Sequence, residues 1–169
     1  MKRAIPLLVV LLSLGLYSTS LAAPYAKKVE ITSGTTPMGE MVIGNSRVPE
    51  ASEVNIPPYP GALLFQNREA GAMKVNGKDA LPYVKLLTPD EMEKVVAWYK
   101  KELASFYFEK LSLMGMNTYR FWEKKGNYGP FDLNAAMENV NLVISDGALH
   151  QDDYPKANTM IEITYRSTK

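Results

Sequence analysis

The feature that most constrains the fold is one amphipathic helix pattern in a chain otherwise rich in strand-forming residues. Apolar side chains recur at helical spacing at Met92, Val95, Val96, Tyr99 and Leu103. This spacing places them on one stripe of an α-helix, with the charged residues of the segment largely off the stripe. The pattern therefore predicts one principal helix that packs against a hydrophobic surface.

The start of this helix is predicted at Thr88. The run Thr88-Pro89-Asp90-Glu91 fits a capping box, in which the Thr88 hydroxyl accepts from the backbone N–H of Glu91 and the Glu91 carboxylate reaches back. Pro89 would occupy the first helical position, where its missing N–H costs nothing. Asp90 and Glu91 would lie near the positive end of the helix dipole, which favours acidic side chains.

Strand candidates flank the helix on both sides. They are residues 62–66, 81–87, 106–113, 117–124, 140–145 and 158–166. In the last of these, Ile161, Ile163 and Tyr165 alternate with polar residues, which predicts one buried and one wet face. Strands on both sides of one helix predict an α+β fold, an antiparallel sheet of about 4–6 strands with the helix packed on one face.

Turn-forming and helix-capping residues are found between these predicted elements. Pro60-Gly61 suits the central positions of a type II turn, because proline fixes φ and glycine accepts positive φ. Gly71, Asn76 and Gly77 indicate a loop or hairpin between the first two strands. Asp132 is expected to cap a short helix over residues 132–138.

The N-terminus has the three-part pattern of a secretory signal peptide. A cationic start precedes an apolar run over residues 5–16, and Ser20 and Ala22 supply small residues before a cleavage site. The run is about a dozen residues long, whereas a membrane-spanning helix needs roughly 20, which disfavours a retained anchor. We therefore expect residues 1–22 to be removed after Ala22 and the protein to be periplasmic or secreted. We predict that residues 23–55 form an N-terminal arm or linker and that residues 56–169 form the α+β domain.

Composition removes several classes of function. The chain has 19 basic and 18 acidic residues, so it lacks the concentrated positive charge that nucleic acids and anionic membranes recruit. It has no cysteine, which removes disulfide exchange, cysteine nucleophiles and acylation of a lipoprotein cysteine. We expect no nucleic-acid partner and no stable membrane anchor after cleavage.

Three segments form a recognisable set: the turn Pro57-Pro58-Tyr59-Pro60-Gly61-Ala62, the helix run Val95-Val96-Ala97-Trp98-Tyr99 with Leu103, and a closing strand at residues 159–165. Together they resemble a module of small bacterial exported proteins of unknown function. It covers roughly residues 56–166, with a divergent middle, and Ser105-Phe106-Tyr107 replaces the Gly-Trp pair that often ends the helix. The resemblance implies an α+β fold and a bacterial envelope setting, and it supplies no catalytic residues.

His150 is the one histidine of the chain and the main candidate for chemistry. It lies in a polar segment beside Asp152 and Asp153, so these three residues are candidate metal ligands. A catalytic role would need a nucleophile and an orienting acid around it, and no Gly-x-Ser-x-Gly elbow is present. The alternative interpretation is a solvated loop between two strands.

Aromatic side chains are the candidates for binding. Trp98 lies toward the edge of the apolar stripe, and Trp122 and Tyr128 follow in the aromatic-rich region after the helix. Exposed aromatic surface marks ligand grooves and partner sites, whereas buried aromatics build the core. Met114-Gly115-Met116 resembles a thioether metal site only weakly, since methionine is also a common core filler.

The main functional hypothesis is a non-enzymatic exported module that binds an envelope protein or a small ligand. No nucleotide, dinucleotide, zinc-protease or EF-hand fingerprint is present, so we expect no cofactor. Two alternatives remain open: a hydrolase or metal-dependent enzyme that uses the His150 loop, and a structural or stress-related secreted protein. The sequence does not define an oligomeric state.

Overall fold

The computed structural model describes residues 47–113, 115–129 and 132–167. The signal-peptide prediction and most of the predicted arm therefore lie outside the described residues. The strands are β1 (Leu63–Arg68), β2 (Lys74–Val75), β3 (Lys78–Asp79), β4 (Tyr83–Thr88), β5 (Tyr107–Leu113), β6 (Met116–Trp122), β7 (Asn141–Asp146) and β8 (Thr159–Thr164). The helices are α1 (Met92–Glu102) and α2 (Leu133–Glu138), with 3₁₀ turns at Ala51–Glu53 and Ala148–His150.

The fold is α+β, as the sequence predicts. Six strands form one sheet in the order β1-β4-β8-β7-β6-β5, and every neighbouring pair is antiparallel. The last strand, β8, inserts between β4 and β7, so the centre of the sheet joins residues far apart in the chain. A separate two-stranded ribbon, β2–β3, turns at Asn76 and Gly77, which both have positive φ as a tight hairpin turn requires.

Helix α1 begins three residues later than the capping-box prediction, at Met92 instead of Pro89. Thr88 ends β4 and is buried, and the helix cap is Glu91, whose side chain makes no capping hydrogen bond. The Thr88 hydroxyl instead accepts from the backbone N–H of Asp90 at 3.3 Å, in the turn that leads into the helix. The predicted cap was wrong because pairing of Thr88 with Thr159 of β8 outweighs the local capping preference.

The apolar stripe of α1 packs on one face of the sheet. Val95, Val96 and Tyr99 are buried, and Leu103 is buried just past the helix end. The facing sheet residues are almost entirely aliphatic or aromatic; they include Leu64, Val84, Leu86, Phe121, Leu142, Ile144, Ile161 and Ile163. We call this side of the sheet the helix face, and its burial is the main apolar contribution to stability.

The predicted type II turn is present and is tied to the start of α1. The backbone N–H of Ala62 donates to Tyr59 O at 3.1 Å, and Gly61 has φ of 79°. The Tyr59 hydroxyl donates to Asp90 Oδ2 at 2.7 Å, while Lys94 Nζ lies 2.9 Å from Asp90 Oδ1. These bonds hold the turn against the first turn of the helix.

The opposite side of the sheet, here called the open face, is covered in two places. Phe65 lies on this face with Leu63, as alternation along β1 requires, and both pack with Leu87, Tyr154, Ala157 and Met160. At the other end of the strands, α2 lies near β7, because Asn141 Nδ2 donates to Ala136 O at 2.7 Å. The predicted cap of α2 is confirmed, since Asp132 Oδ1 accepts from Ala135 N at 2.9 Å.

The described end of the predicted arm packs onto the domain. Val54 is buried in the main core, and Val48 packs against it. Arg47 lies 2.8 Å from the buried carboxylate of Glu53. Val48 and Val54 of the predicted arm therefore pack with the domain core. No helix within the described ranges is long and apolar enough to cross a lipid bilayer.

Candidate functional site

A cavity of about 540 Å³ opens on the open face, beside the turn of the β5–β6 hairpin. Its volume lies within the range of roughly 300–1,000 Å³ that is typical of small-molecule sites. Most of its surface is apolar. The lining residues are Leu111, Ser112, Met116, Asn117, Thr118, Arg120, Ser145, Asp146, Ala148, Leu149, His150 and Met160.

The cavity lies where the described residues cover only part of this end of the open face. After β7, residues 147–158 cross toward β4 and β1, where Ala157 is fully buried against Leu87. Asn158 secures the crossing: its backbone N–H donates to Thr88 O at 3.0 Å and its side chain to Pro89 O at 2.7 Å. Among residues 47–113, 115–129 and 132–167, none covers the hairpin side at β5 and β6 in this way, so these residues leave a concave space between the crossing segment and the hairpin.

The 3₁₀ turn Ala148–His150 forms one wall of the cavity. Asp146 Oδ1 accepts from Ala148 N at 2.8 Å, and Gly147 N donates to Asn158 O at 3.0 Å. Gly147 lies so close to β8 that a Cβ atom there would meet Thr159 N at 2.8 Å. The position of this wall of the cavity therefore depends on glycine at residue 147.

Exposed apolar side chains stand at the mouth of the cavity. Leu149 on the 3₁₀ turn is 88 % exposed and Met116 on the hairpin is 59 % exposed. Single exposed apolar residues are ordinary, but two at the rim of one apolar concavity are typical of a binding surface. These two residues are the first that a ligand entering the cavity would meet.

Ser145 supplies a buried hydroxyl to the cavity lining. Its Oγ is shielded from solvent and has no hydrogen-bond partner within the described part of the chain. A buried polar atom left without a partner costs about 1–3 kcal/mol, and such groups in native structures call for an explanation. Because this oxygen is shielded, a molecule in the cavity does not reach it in this conformation.

His150 lines the cavity and is half-buried, in contrast to the interpretation of a solvated loop. The chain does form a loop between β7 and β8, but the imidazole packs with its ring centroid 4.8 Å from that of Phe65. Burial lowers the pKa of His150 below its ordinary value, the positive charge of Lys85 lowers it further, and Asp153 opposes the change. The imidazole is therefore neutral at neutral pH.

The structure brings together only part of the predicted metal set. His150 Nδ1 lies 4.0 Å from Asp153 Oδ2, while Asp152 is exposed. Within residues 47–113, 115–129 and 132–167, no group of three or more histidine, cysteine or acidic side chains is arranged to hold a metal ion. Of His150, Asp152 and Asp153, only His150 and Asp153 lie close together, and two side chains do not complete a metal site.

The three predicted aromatic binding residues lie on opposite faces of the sheet. Trp98 packs at the boundary of the helix-face core, with its ring 5.4 Å from Tyr59 and 4.7 Å from Tyr99 in edge-on contacts. Trp122 is buried on the open face, and Tyr128 stacks over it at 4.1 Å. None of the three lines the cavity, and a binding role for them stays a prediction.

Several residues that line the cavity were not predicted from the sequence. Ser145 and Met160 lie next to each other through the β7–β8 pairing, which no local pattern predicts. Leu149 did carry a usable signal, because it is an isolated leucine in a polar loop beside His150. Met116 appeared in the sequence as part of a methionine pair, and in the structure it stands at the mouth of the cavity.

Comparison of the chain with protein-family models, with curated proteins and with solved structures finds no match. The resemblance to small exported modules stays a prediction. Its turn and helix runs are in contact here, through the hydrogen bond from Tyr59 to Asp90 and the edge-on packing of Tyr59 against Trp98.

Proposed function

We propose that this protein is an exported, non-enzymatic module of the bacterial envelope that binds a small ligand. The observation that carries the proposal is the cavity of about 540 Å³ between the β5–β6 hairpin and the 3₁₀ turn. Its size, its apolar lining and its few convergent polar groups are the properties of a ligand site. Export is supported by the signal-peptide pattern of residues 1–22.

The competing proposal is a hydrolase that uses His150, because this neutral imidazole lines the same cavity. A serine nucleophile requires activation by an adjacent base. Ser145 Oγ, the buried hydroxyl in this lining, has no hydrogen-bond partner among the described residues, so His150 does not activate it in this conformation. The lining therefore favours binding over covalent chemistry.

The proposal is tested with N-phenyl-1-naphthylamine, an uncharged apolar probe whose fluorescence rises on leaving water. We expect saturable binding to the purified protein. Leu149→Ala should weaken this binding about 5- to 30-fold, since burying one leucine side chain contributes about 1–2 kcal/mol or more. The matched control is Leu133→Ala: Leu133 is 68 % exposed on α2 and does not line the cavity.

The outcomes separate the proposals. Equal loss of binding in both variants, or no saturable binding to the parent protein, would contradict a ligand site in this cavity. Hydrolysis of a p-nitrophenyl ester that disappears in a folded His150→Ala variant would instead support the enzyme. Retention of probe binding in that variant, without any hydrolysis in the parent, would support the binding module.

A further inference from the structure

The outer edge of β5 is a continuous strand edge at one side of the sheet. β5 has seven residues, and all of them pair with β6 without a shift of register. Within residues 47–113, 115–129 and 132–167, no strand pairs with the other side of β5. The backbone N–H and C=O groups on that side can therefore form a hydrogen-bonded ladder with an added strand.

The opposite edge of the sheet, at β1, is less suited to pairing. The register of β1 against β4 shifts between Leu64 and Gln66. Near its end, Asn67 Nδ2 donates to Arg47 O at 2.9 Å, so the chain at residue 47 lies against this strand. Irregular strands are poorer templates for an added strand, which makes β5 the better candidate of the two edges.

Three exposed lysines surround this edge. Lys110 lies in the middle of β5, and Lys100 in the last turn of α1 has its Nζ 4.0 Å from the centre of the Phe108 ring. At the start of β5, Lys125 Nζ lies 5.7 Å from the centre of the Tyr107 ring. None of these lysines forms an ion pair with another residue in the part of the chain that the structure describes.

The acidic residues of the same region are fewer, and two of them have partners. From residue 99 to residue 125 the chain has six basic and three acidic residues. Glu109 Oε1 accepts from Trp122 Nε1 at 2.7 Å, and Arg120 lies directly opposite Glu109 in the β5–β6 pairing. Glu123 Oε2 lies 3.7 Å from Arg166 Nη1. The edge of β5 therefore has a local excess of positive charge, which attracts acidic side chains.

Lys110 also favours a different protein over a second copy of this chain. The antiparallel register that pairs the full length of β5 with its own copy is centred on Lys110, so two lysines would lie directly opposite each other. Like charges at opposite positions destabilise a strand pair. A carboxylate on the added strand would instead be attracted to Lys110.

The two faces of β5 indicate which side chains the added strand should have. Phe108 packs against the helix-face core, and Lys110 shares its side of the strand by alternation. Leu111 lines the cavity on the open face, and Tyr107 lies on the same side. Successive side chains of an added strand would therefore meet lysines on one face and apolar groups on the other.

We propose that the free edge of β5 binds an extended peptide segment of another protein, in which acidic residues alternate with apolar ones and the acidic residues face Lys100 and Lys110. The peptide adds a seventh strand to the sheet, with its backbone bonded to β5. This surface is a protein-binding site in addition to the cavity proposed above, and it does not depend on a ligand in that cavity.

The test is fluorescence anisotropy with three fluorescein-labelled peptides of the same length as β5. In the first, glutamate and valine alternate; in the second, lysine replaces each glutamate. The third has the sequence of the first, with two neighbouring central backbone nitrogens methylated. Because neighbouring N–H groups of a strand point to opposite sides, one of the two methyl groups must face β5.

We expect the glutamate peptide to bind at least about 10-fold more tightly than the lysine peptide at low ionic strength, with affinity falling as salt is added. The methylated peptide should bind at least about 10-fold more weakly than its parent, because strand addition depends on backbone hydrogen bonds. Equal binding of the glutamate and lysine peptides would overturn the assigned charge preference. Equal binding of the methylated peptide would overturn strand addition, and absence of binding by all three would overturn the proposal.

A pair of charge-reversed variants locates the binding site on the protein. Lys110→Glu should weaken binding of the glutamate peptide about 5- to 20-fold and strengthen binding of the lysine peptide. The matched control is Lys78→Glu, at an exposed position on the separate β2–β3 ribbon, which should change either affinity less than about twofold. Equal effects of the two substitutions in folded proteins would refute a site at β5. A purified protein that sediments as a dimer and binds no peptide would assign this edge to a second copy and overturn the proposal.

Discussion

At the residue scale, Tyr59 connects the turn before β1 to the start of α1. Its phenol ring is buried, and its hydroxyl donates to Asp90 Oδ2 at 2.7 Å. This hydrogen bond is the largest cause of a lowered pKa at Asp90, with the Lys94 ammonium adding to the effect. Burial, together with the Asp90 carboxylate, raises the pKa of Tyr59 to about 12.

Tyr59→Phe should lower the free energy of unfolding by about 1–2 kcal/mol at pH 7, since a hydrogen bond to a charged acceptor is lost. Because the folded-state pKa of Asp90 is lowered, its contribution is present above the ordinary carboxyl pKa and is lost as the pH falls through the folded value. The difference between wild type and variant should therefore shrink in acid. Urea denaturation at several pH values measures it.

The stability of Tyr59→Phe relative to wild type should also change at alkaline pH. The neutral phenol of Tyr59 contributes below its ordinary pKa of 10, and this contribution is lost as the pH rises toward about 12. Tyr107→Phe, at an exposed position on β5, should stay within about 0.5 kcal/mol of wild type throughout. A Tyr59→Phe variant as stable as this control at pH 7 would contradict the proposed link.

At the element scale, local patterns predicted the elements better than their boundaries. The stripe of α1, the turn at Pro60-Gly61 and the Asp132 cap each depend on residues close together in the sequence, and all three are present. The start of α1 depends on whether Thr88 extends β4, which is decided by pairing with β8 about 70 residues later. The residues near Thr88 in the sequence do not show whether it caps the helix or extends the strand.

The cavity was beyond prediction for the same reason. Its floor joins Ser145 and Met160 across β7 and β8, and its sides come from the β5–β6 hairpin and the 3₁₀ turn. Only the strand order brings these segments together. His150 was identified from its chemistry as the single histidine, but its contact with Phe65 joins residues far apart in the chain, which no local pattern predicts.

Gly147→Ala should move the 3₁₀ turn that forms the cavity wall. The added methyl carbon would lie 2.8 Å from the backbone nitrogen of Thr159, which belongs to a central strand and has little freedom to shift. We expect a loss of about 1–3 kcal/mol of stability, as for other overpacked positions, together with weaker binding of N-phenyl-1-naphthylamine. Thermal unfolding and probe titration measure the two effects.

Gly129→Ala provides the control for this change. A Cβ at position 129 would lie 3.9 Å from Asp132 Cβ, an ordinary van der Waals distance. The control should therefore change stability by less than about 0.5 kcal/mol and leave probe binding intact. Normal stability and binding in Gly147→Ala would show that the wall tolerates a side chain at 147 and does not set the cavity.

At the scale of the whole molecule, the two faces of the sheet have different roles. The helix face holds the continuous core beneath α1, built from residues that are nearly inaccessible to solvent. In the part of the chain that the structure describes, short segments cover the open face, and the cavity lies where that cover ends. Substitutions on the helix face should therefore act through stability, whereas substitutions at the cavity mouth can alter binding in a folded protein.

Processing of the whole chain gives the last prediction. The small residues at Ser20 and Ala22 predict cleavage after Ala22, so the exported protein should begin at Ala23 when it is expressed in a bacterium with a secretory pathway. Intact-mass analysis of the periplasmic and medium fractions tests this start. Ala22→Lys should block cleavage, because the residue before the cut must be small, whereas Ala26→Lys lies beyond the cut and should be processed normally. A wild-type chain that keeps Met1 and remains in the cytoplasm would contradict the envelope location in the proposed function. Ligand binding by the cavity would still be tested by the binding experiments.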